Sequence, residues 1–205
     1  MKSNLIIIFI CFLMISCNSN QNNSSSENVQ SIANEDSLRN EFDYQFDIIY
    51  NSVDTVKLIS HDHYFYYCFG KFENPHKLTE HFGKLFKVNK ESTYVFNDST
   101  QIDTLFRIVH LNSFIKFFFD EEENLMQLVS GRIIGTELQM TNNLRVGLTR
   151  DEVEIILFKE NKHRLKATKV VQIITALEGI WIDLVLDNQR LQEIKIDSDY
   201  QVNKT

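Results

Sequence analysis

The residues best suited to chemistry in this chain are few and scattered. His61-Asp62-His63 comes first. On a strand, side chains two apart point the same way, so both imidazoles could reach one metal ion. A third ligand, such as His76, His81 or His110, would have to come from elsewhere. Asp120 to Glu123 packs four carboxylates together, but it lacks the alternation and the fixed Gly of a calcium loop and reads as a solvated turn. Cys68 has no neighbouring signature of a catalytic thiol and reads as a small buried hydrophobe. Ser, His and Asp are all present, but no Gly-x-Ser-x-Gly elbow occurs. Six glycines leave little material for a phosphate-binding loop. The expectation is a chain without catalytic residues or cofactors, and the alternative is a cryptic metal-dependent hydrolase using His61 and His63.

A different chemistry is written at the N-terminus. Lys2 precedes an apolar run, Leu5 to Ile15, about half the ~20 residues that span a bilayer. The run has the character of a signal peptide and ends in Met14-Ile15-Ser16-Cys17. That ending resembles the bacterial lipobox, in which a small residue precedes a cysteine that is lipidated and becomes the new N-terminus. Ser16 fits, and Met14 stands where Leu is usual. Asn18 to Ser26 is a polar tract that cannot bury apolar area and reads as a tether. No Asp follows Cys17 directly, and no acidic export tract is present. The expectation is lipidation at Cys17 and an anchor in the outer membrane, with the domain facing the periplasm.

Composition narrows the partners. The chain has 205 residues, 43% hydrophobic and 24% charged, with 16 Phe, 7 Tyr and a single Pro. This is the profile of a globular protein with an aromatic core. A net charge of -7 offers no excess of cations for phosphate neutralisation, so nucleic acid is excluded as a partner. Cys68 is the one cysteine outside the N-terminal segment, so the body has no internal disulfide.

The elements that would position these residues follow from periodicity. Phe42, Tyr44, Phe46 and Ile48 alternate with polar residues and predict a strand; 56–60 and 63–69 predict two more. Asn74-Pro75 predicts a helix start, and Gly83 a left-handed end. Strands are expected near 92–97, 102–110, 113–119 and 125–134. Thr149 and Glu152 form a capping box that opens a second helix through Val153, Ile156 and Leu157. Strands at 168–175, 180–187 and 190–197 complete the chain. Leu78-Thr79 recurs as Leu148-Thr149, and Phe119-Asp120 as Leu186-Asp187. The expected organisation is a leader (1–16), a lipidated tether (17–40), an N-terminal β segment (41–74), two helix-plus-β-meander repeats (75–140 and 141–200) and a tail (201–205). The expected fold is α+β, with short helices packed on one face of a continuous antiparallel sheet.

Val146-Gly147-Leu148-Thr149-Arg150-Asp151-Glu152-Val153 resembles the motif that opens the first helix in the small outer-membrane lipoproteins of the β-barrel assembly machine. Gly147, Leu148, Thr149, Glu152 and Val153 match it. In the first repeat Phe82 replaces the Glu, and after the second helix Phe158 to Asn161 stands where the family has Gly-x-Pro. The tandem form of the unit resembles the β-lactamase-inhibitory-protein fold. The resemblance implies a non-enzymatic role as assembly factor, envelope scaffold or protein inhibitor.

Several strands are apolar on both faces, which points to a second face that is covered or that binds. Tyr64, Tyr66 and Trp181 are the candidates for an aromatic patch that takes a protein partner.

Overall fold

Alternation in the sequence becomes alternation in burial. Between 180 and 186, Ile180, Ile182, Leu184 and Leu186 are buried while Trp181, Asp183 and Val185 are half-buried. The computed structural model describes residues 46–60, 67–95, 98–160, 162–175 and 179–198. In chain order these form β1 (Phe46–Asn51), β2 (Thr55–Ser60), α1 (Pro75–Phe82), β3 (Lys87–Val95), β4 (Asp98–His110), β5 (Ser113–Asp120), β6 (Leu125–Ile133), α2 (Arg150–Phe158), β7 (Val170–Thr175), β8 (Ile180–Asp187) and β9 (Arg190–Ser198). One nine-stranded sheet contains every described strand, in the order β1-β2-β7-β8-β9-β6-β5-β4-β3.

The expected architecture of helices layered on an antiparallel sheet in two repeats is overturned. The described fold is β-rich, and among the described residues the helices have only eight and nine residues. The sheet is mixed because β2 runs parallel to β7, from Thr55 beside Val170 to Ser60 beside Thr175. Four strands follow α1 and three follow α2, so the two units are unequal. The physical reason is the pairing of β2 with β7, which inserts the last meander between β2 and β6. Hairpins are local and legible from turns, whereas this pairing joins distant parts of the chain.

One contiguous core lies on the inner face. It joins Val56, Leu58, Ile108, Ile115, Phe117, Ile173, Ile182 and Ile194 of the strands to Leu78 and Phe82 of α1 and to Val153 and Leu157 of α2. Phe72 packs edge-on against Phe117, with ring centroids 6.0 Å apart, and tilts against Phe82 at 5.6 Å. Such contacts add to the burial of the rings themselves.

The helix starts have the expected chemistry. Asn74 Oδ1 accepts the Lys77 N–H at 3.0 Å, with Pro75 opening α1. Thr149 Oγ1 accepts the Glu152 N–H at 3.3 Å, and Glu152 Oε2 accepts the Thr149 N–H at 2.7 Å. Gly147 holds φ +95, which a side chain would strain, and lets the chain turn into this cap. Replacing Thr149 with Ala is expected to lower stability by about 1 kcal/mol, read as a shift of the urea midpoint at constant slope. An unchanged midpoint would show the cap to be energetically idle.

Two local expectations are corrected. Gly83 ends α1 in a right-handed conformation, φ -62, and it is Lys159 after α2 that turns left-handed, φ 57. Residues 67–69, expected in a strand, form a turn closed by the Gly70 N–H on the Tyr67 carbonyl at 2.8 Å.

Candidate functional site

The outer face of the sheet, opposite the core, is where charge and aromatic side chains meet. Across the β7–β9 half it is a polar lattice. Gln172 donates to Asp183 Oδ1 at 2.8 Å, and Glu193 receives both Arg132 at 2.5 Å and Lys195 at 3.6 Å. Trp181 sits in this face, half-buried, paired across the strands with Ile174 on one side and Asp197 on the other.

The β3–β5 half is different. Leu105 is only 2% exposed yet stands outside the contiguous core, because it points to the outer face. Beside it Lys116, on the same face, is 6% exposed. Its Nζ lies 3.4 Å from Glu91 Oε2, and Arg107 Nη1 lies 3.2 Å from Glu91 Oε1. One carboxylate therefore serves two cations. The Arg107 guanidinium stacks 4.9 Å over the Phe114 ring, and its Nε is buried without a hydrogen-bond partner. Register builds the group: Arg107 pairs with Lys116 across β4 and β5, and Glu91 lies diagonally across β3. The trio carries one net positive charge, with Lys116 buried and the Arg107 and Glu91 side chains about one third exposed.

Sequence reading missed this trio. Its only signal is Lys116, the one charged residue within the apolar run Phe114–Phe119. Glu91 and Arg107 carry no mark until the strands pair.

Of the residues singled out from sequence, Cys17, His61, His63, Tyr64 and Tyr66 lie outside the described residues. Trp181 lies on the outer face. His81 stacks edge-on to Phe82 at 4.7 Å and His110 to Phe86 at 5.2 Å, while His76 is exposed on α1. Among the described residues, no three His, Cys, Asp or Glu side chains converge as a metal site. Cys68 is fully buried, and desolvation pushes its thiol far up, out of the range of a reactive nucleophile. In the acidic turn, Asp120 Oδ1 accepts the N–H groups of Glu122 and Glu123 at 3.0 and 3.1 Å, which binds the turn to itself.

Two buried charges on α2 are explained by architecture. Glu154, 1% exposed, accepts the backbone N–H groups of Lys162, Arg164 and Leu165 at 2.7, 3.0 and 3.1 Å. Arg150 Nη1 donates to the carbonyls of Leu165 and Thr168, and its Nε to Gln189 Oε1 at 3.2 Å. Together they fasten the loop between α2 and β7. Beside α2 an open depression of about 420 Å³ is lined by Arg145, Leu148, Glu152, Ile155 and Ile156. Its lining mixes apolar Leu148, Ile155 and Ile156 with the opposite charges of Arg145 and Glu152. No protein-family model, curated protein or solved structure matches this chain, so its function is argued from these residues alone.

Proposed function

We propose that this chain is a non-enzymatic lipoprotein of the cell envelope. It is anchored through Cys17 in the outer membrane facing the periplasm, and its domain binds a protein partner or serves as an envelope assembly or scaffold factor. The observation that carries the reading is the order of the first 26 residues: a basic start, an apolar run too short to span a bilayer, Ser16-Cys17, then an uncharged polar tract. The outer face of the sheet supports the binding role. It sets the half-buried Trp181 among polar groups, and aromatic side chains of this kind are enriched at protein-binding surfaces.

The anchor is tested by metabolic labelling with a palmitate analogue and by detergent phase separation. The native chain is expected to take up label and enter the detergent phase, and Cys17→Ala to remain an unlabelled precursor. A mature protein that begins elsewhere and stays in the aqueous phase would end this reading.

A further inference from the structure

We propose that the tip formed by Leu85 and Leu111 is a membrane-contact surface, through which the anchored domain lies against a bilayer with anionic headgroups. This deepens the lipoprotein reading and rests on it for the presence of the bilayer. Leu111 is 78% exposed and Leu85 71%. Strand register brings them together. Lys87 pairs with Val109 across β3 and β4, and one step outward Phe86 meets His110 with ring centroids 5.2 Å apart. The next step outward is Leu85 and Leu111. Ile134, also exposed, lies alongside, its N–H donating to Ser113 Oγ at 2.9 Å. Single exposed leucines are ordinary, but apolar side chains gathered at one tip and rimmed by charge mark a contact.

The backbone at Leu111 is a second, independent observation. The turn between β4 and β5 has two central residues, and the first, Leu111, holds φ 50. Such a position favours Gly, Asn or Asp. In this chain Asn124, Asn143 and Asn188 hold positive φ elsewhere. Leu111 is the only apolar side chain to do so among the described residues, although Asn112 is its neighbour. Neither burial nor turn chemistry accounts for a leucine here, and an outlier of this kind points to a role outside the fold.

Charge selects the occupant. Lys84 and Lys87 flank Leu85, and both are exposed. Glu80, one turn before Lys84, is already paired with Lys77 at 3.0 Å. Residues 84–88 and 109–113 contain no acid, and Glu137 borders the patch on the β6 side. The opposite end of the same four strands carries Asp98 and the Asp120–Glu123 turn. The meander is therefore polarised beneath the net charge of -7: leucine and lysine at one end, carboxylates at the other. Leucines enter the acyl boundary while lysine stems snorkel their ammonium groups to the phosphates. Each cation adds attraction to an anionic surface. A protein partner fits less well, because lysine is depleted at protein interfaces and leucine is scarce among their hot spots.

The anchor permits this pose. Phe46 stands 29 residues after Cys17, a reach of at most ~96–104 Å. The strands of the meander have eight to thirteen residues, roughly 26–43 Å. The tip can therefore face the bilayer that holds the chain, and the tether keeps it at high effective concentration there.

The test uses the chain from residue 17 on, coupled through Cys17 to maleimide-bearing lipid; Cys68 is buried and stays unreacted. The vesicles hold phosphatidylethanolamine and phosphatidylglycerol in equal parts, with brominated acyl chains that quench tryptophan. Trp181→Phe removes the one native tryptophan, and Asn112→Trp places a reporter at the tip. That tryptophan is expected to lose most of its fluorescence, whereas Glu122→Trp at the acidic end keeps it. Lys84→Glu with Lys87→Glu, and Leu85→Ser with Leu111→Asn, should each restore the signal at residue 112. Asparagine tolerates positive φ better than leucine, so Leu111→Asn is expected to leave Tm unchanged or raised. Melts in solution thus separate lost contact from lost fold. No quenching at 112, equal quenching at 112 and 122, or quenching that survives either pair of changes overturns the proposal. The maleimide bond replaces acylation, so the outcome does not depend on whether Cys17 is lipidated in the cell.

Discussion

Replacing Phe117 with Ala is expected to destabilise the domain by about 3–5 kcal/mol. The ring is 1% exposed on β5 and packs against Phe72 and Phe82. Removing it opens a cavity where strand, helix and the α1 approach meet, and close-packed interiors collapse only partly around such a loss. For a protein of this size the change corresponds to a fall in Tm of roughly 6–20 °C. The neighbouring Phe118 points to the outer face and is half-buried, so Phe118→Ala should cost much less. Thermal melts of the two variants side by side check the assignment of faces: equal losses would mean that β5 is not divided between a core and an outer surface.

Glu154→Ala should be nearly as damaging, at about 3 kcal/mol, for a different reason. The deletion leaves three backbone N–H groups without their acceptor, one of them on the buried Leu165, and frees the loop that Arg150 also holds. The effect is pH-dependent with a definite sign. Burial pushes the Glu154 carboxyl up, but the hydrogen bonds from Arg164, Leu165 and Lys162 outweigh it and hold the group below its ordinary value. A carboxyl whose folded pKa is depressed contributes stability that is present above its unfolded pKa, ~4.3, and that is lost as pH falls through the lower folded value. The gap between native and Glu154→Ala should therefore be full at neutral pH and narrow in acid. Denaturant unfolding across that range measures it, and a gap constant with pH would show that the carboxylate's charge is irrelevant to the clamp.

What could be read from sequence was local. The Thr149–Glu152 box, the Asn74-Pro75 start, the Asp120 turn and the Asp187–Arg190 hairpin each depend on a few adjacent residues, and each stands where spacing put it. Glycine was a weaker guide. Gly83 suggested a left-handed end to α1, but the last turn closes right-handed on the Thr79 carbonyl, and a lysine takes the left-handed position after α2. The parallel pairing of β2 with β7 was invisible because no turn or spacing encodes it, and the mixed, β-rich sheet follows from that one pair. Arg150 and Glu154 carry no mark in the sequence, since most of their partners are backbone groups without a side-chain signature. The trio Glu91, Arg107 and Lys116 was hidden for a similar reason: its members come from three strands and meet only in register.

The β2–β7 pair also orders events in time. Thr55 must wait for Val170, roughly 115 residues later in the chain. At a synthesis rate of about 5–20 residues per second that is roughly 6–23 s after β2 appears. During that interval the β3–β6 meander can already close its internal pairs, since each strand pairs with its immediate successor, while the outer edge of β6 still awaits β9. Contacts of high sequence separation form late because loop closure must precede them. Folding should therefore begin in the middle of the chain and end with the β7–β9 meander joining β2 on one side and β6 on the other. Until then β2 presents a bare strand edge, the kind of surface that invites mispairing and that chaperones shield.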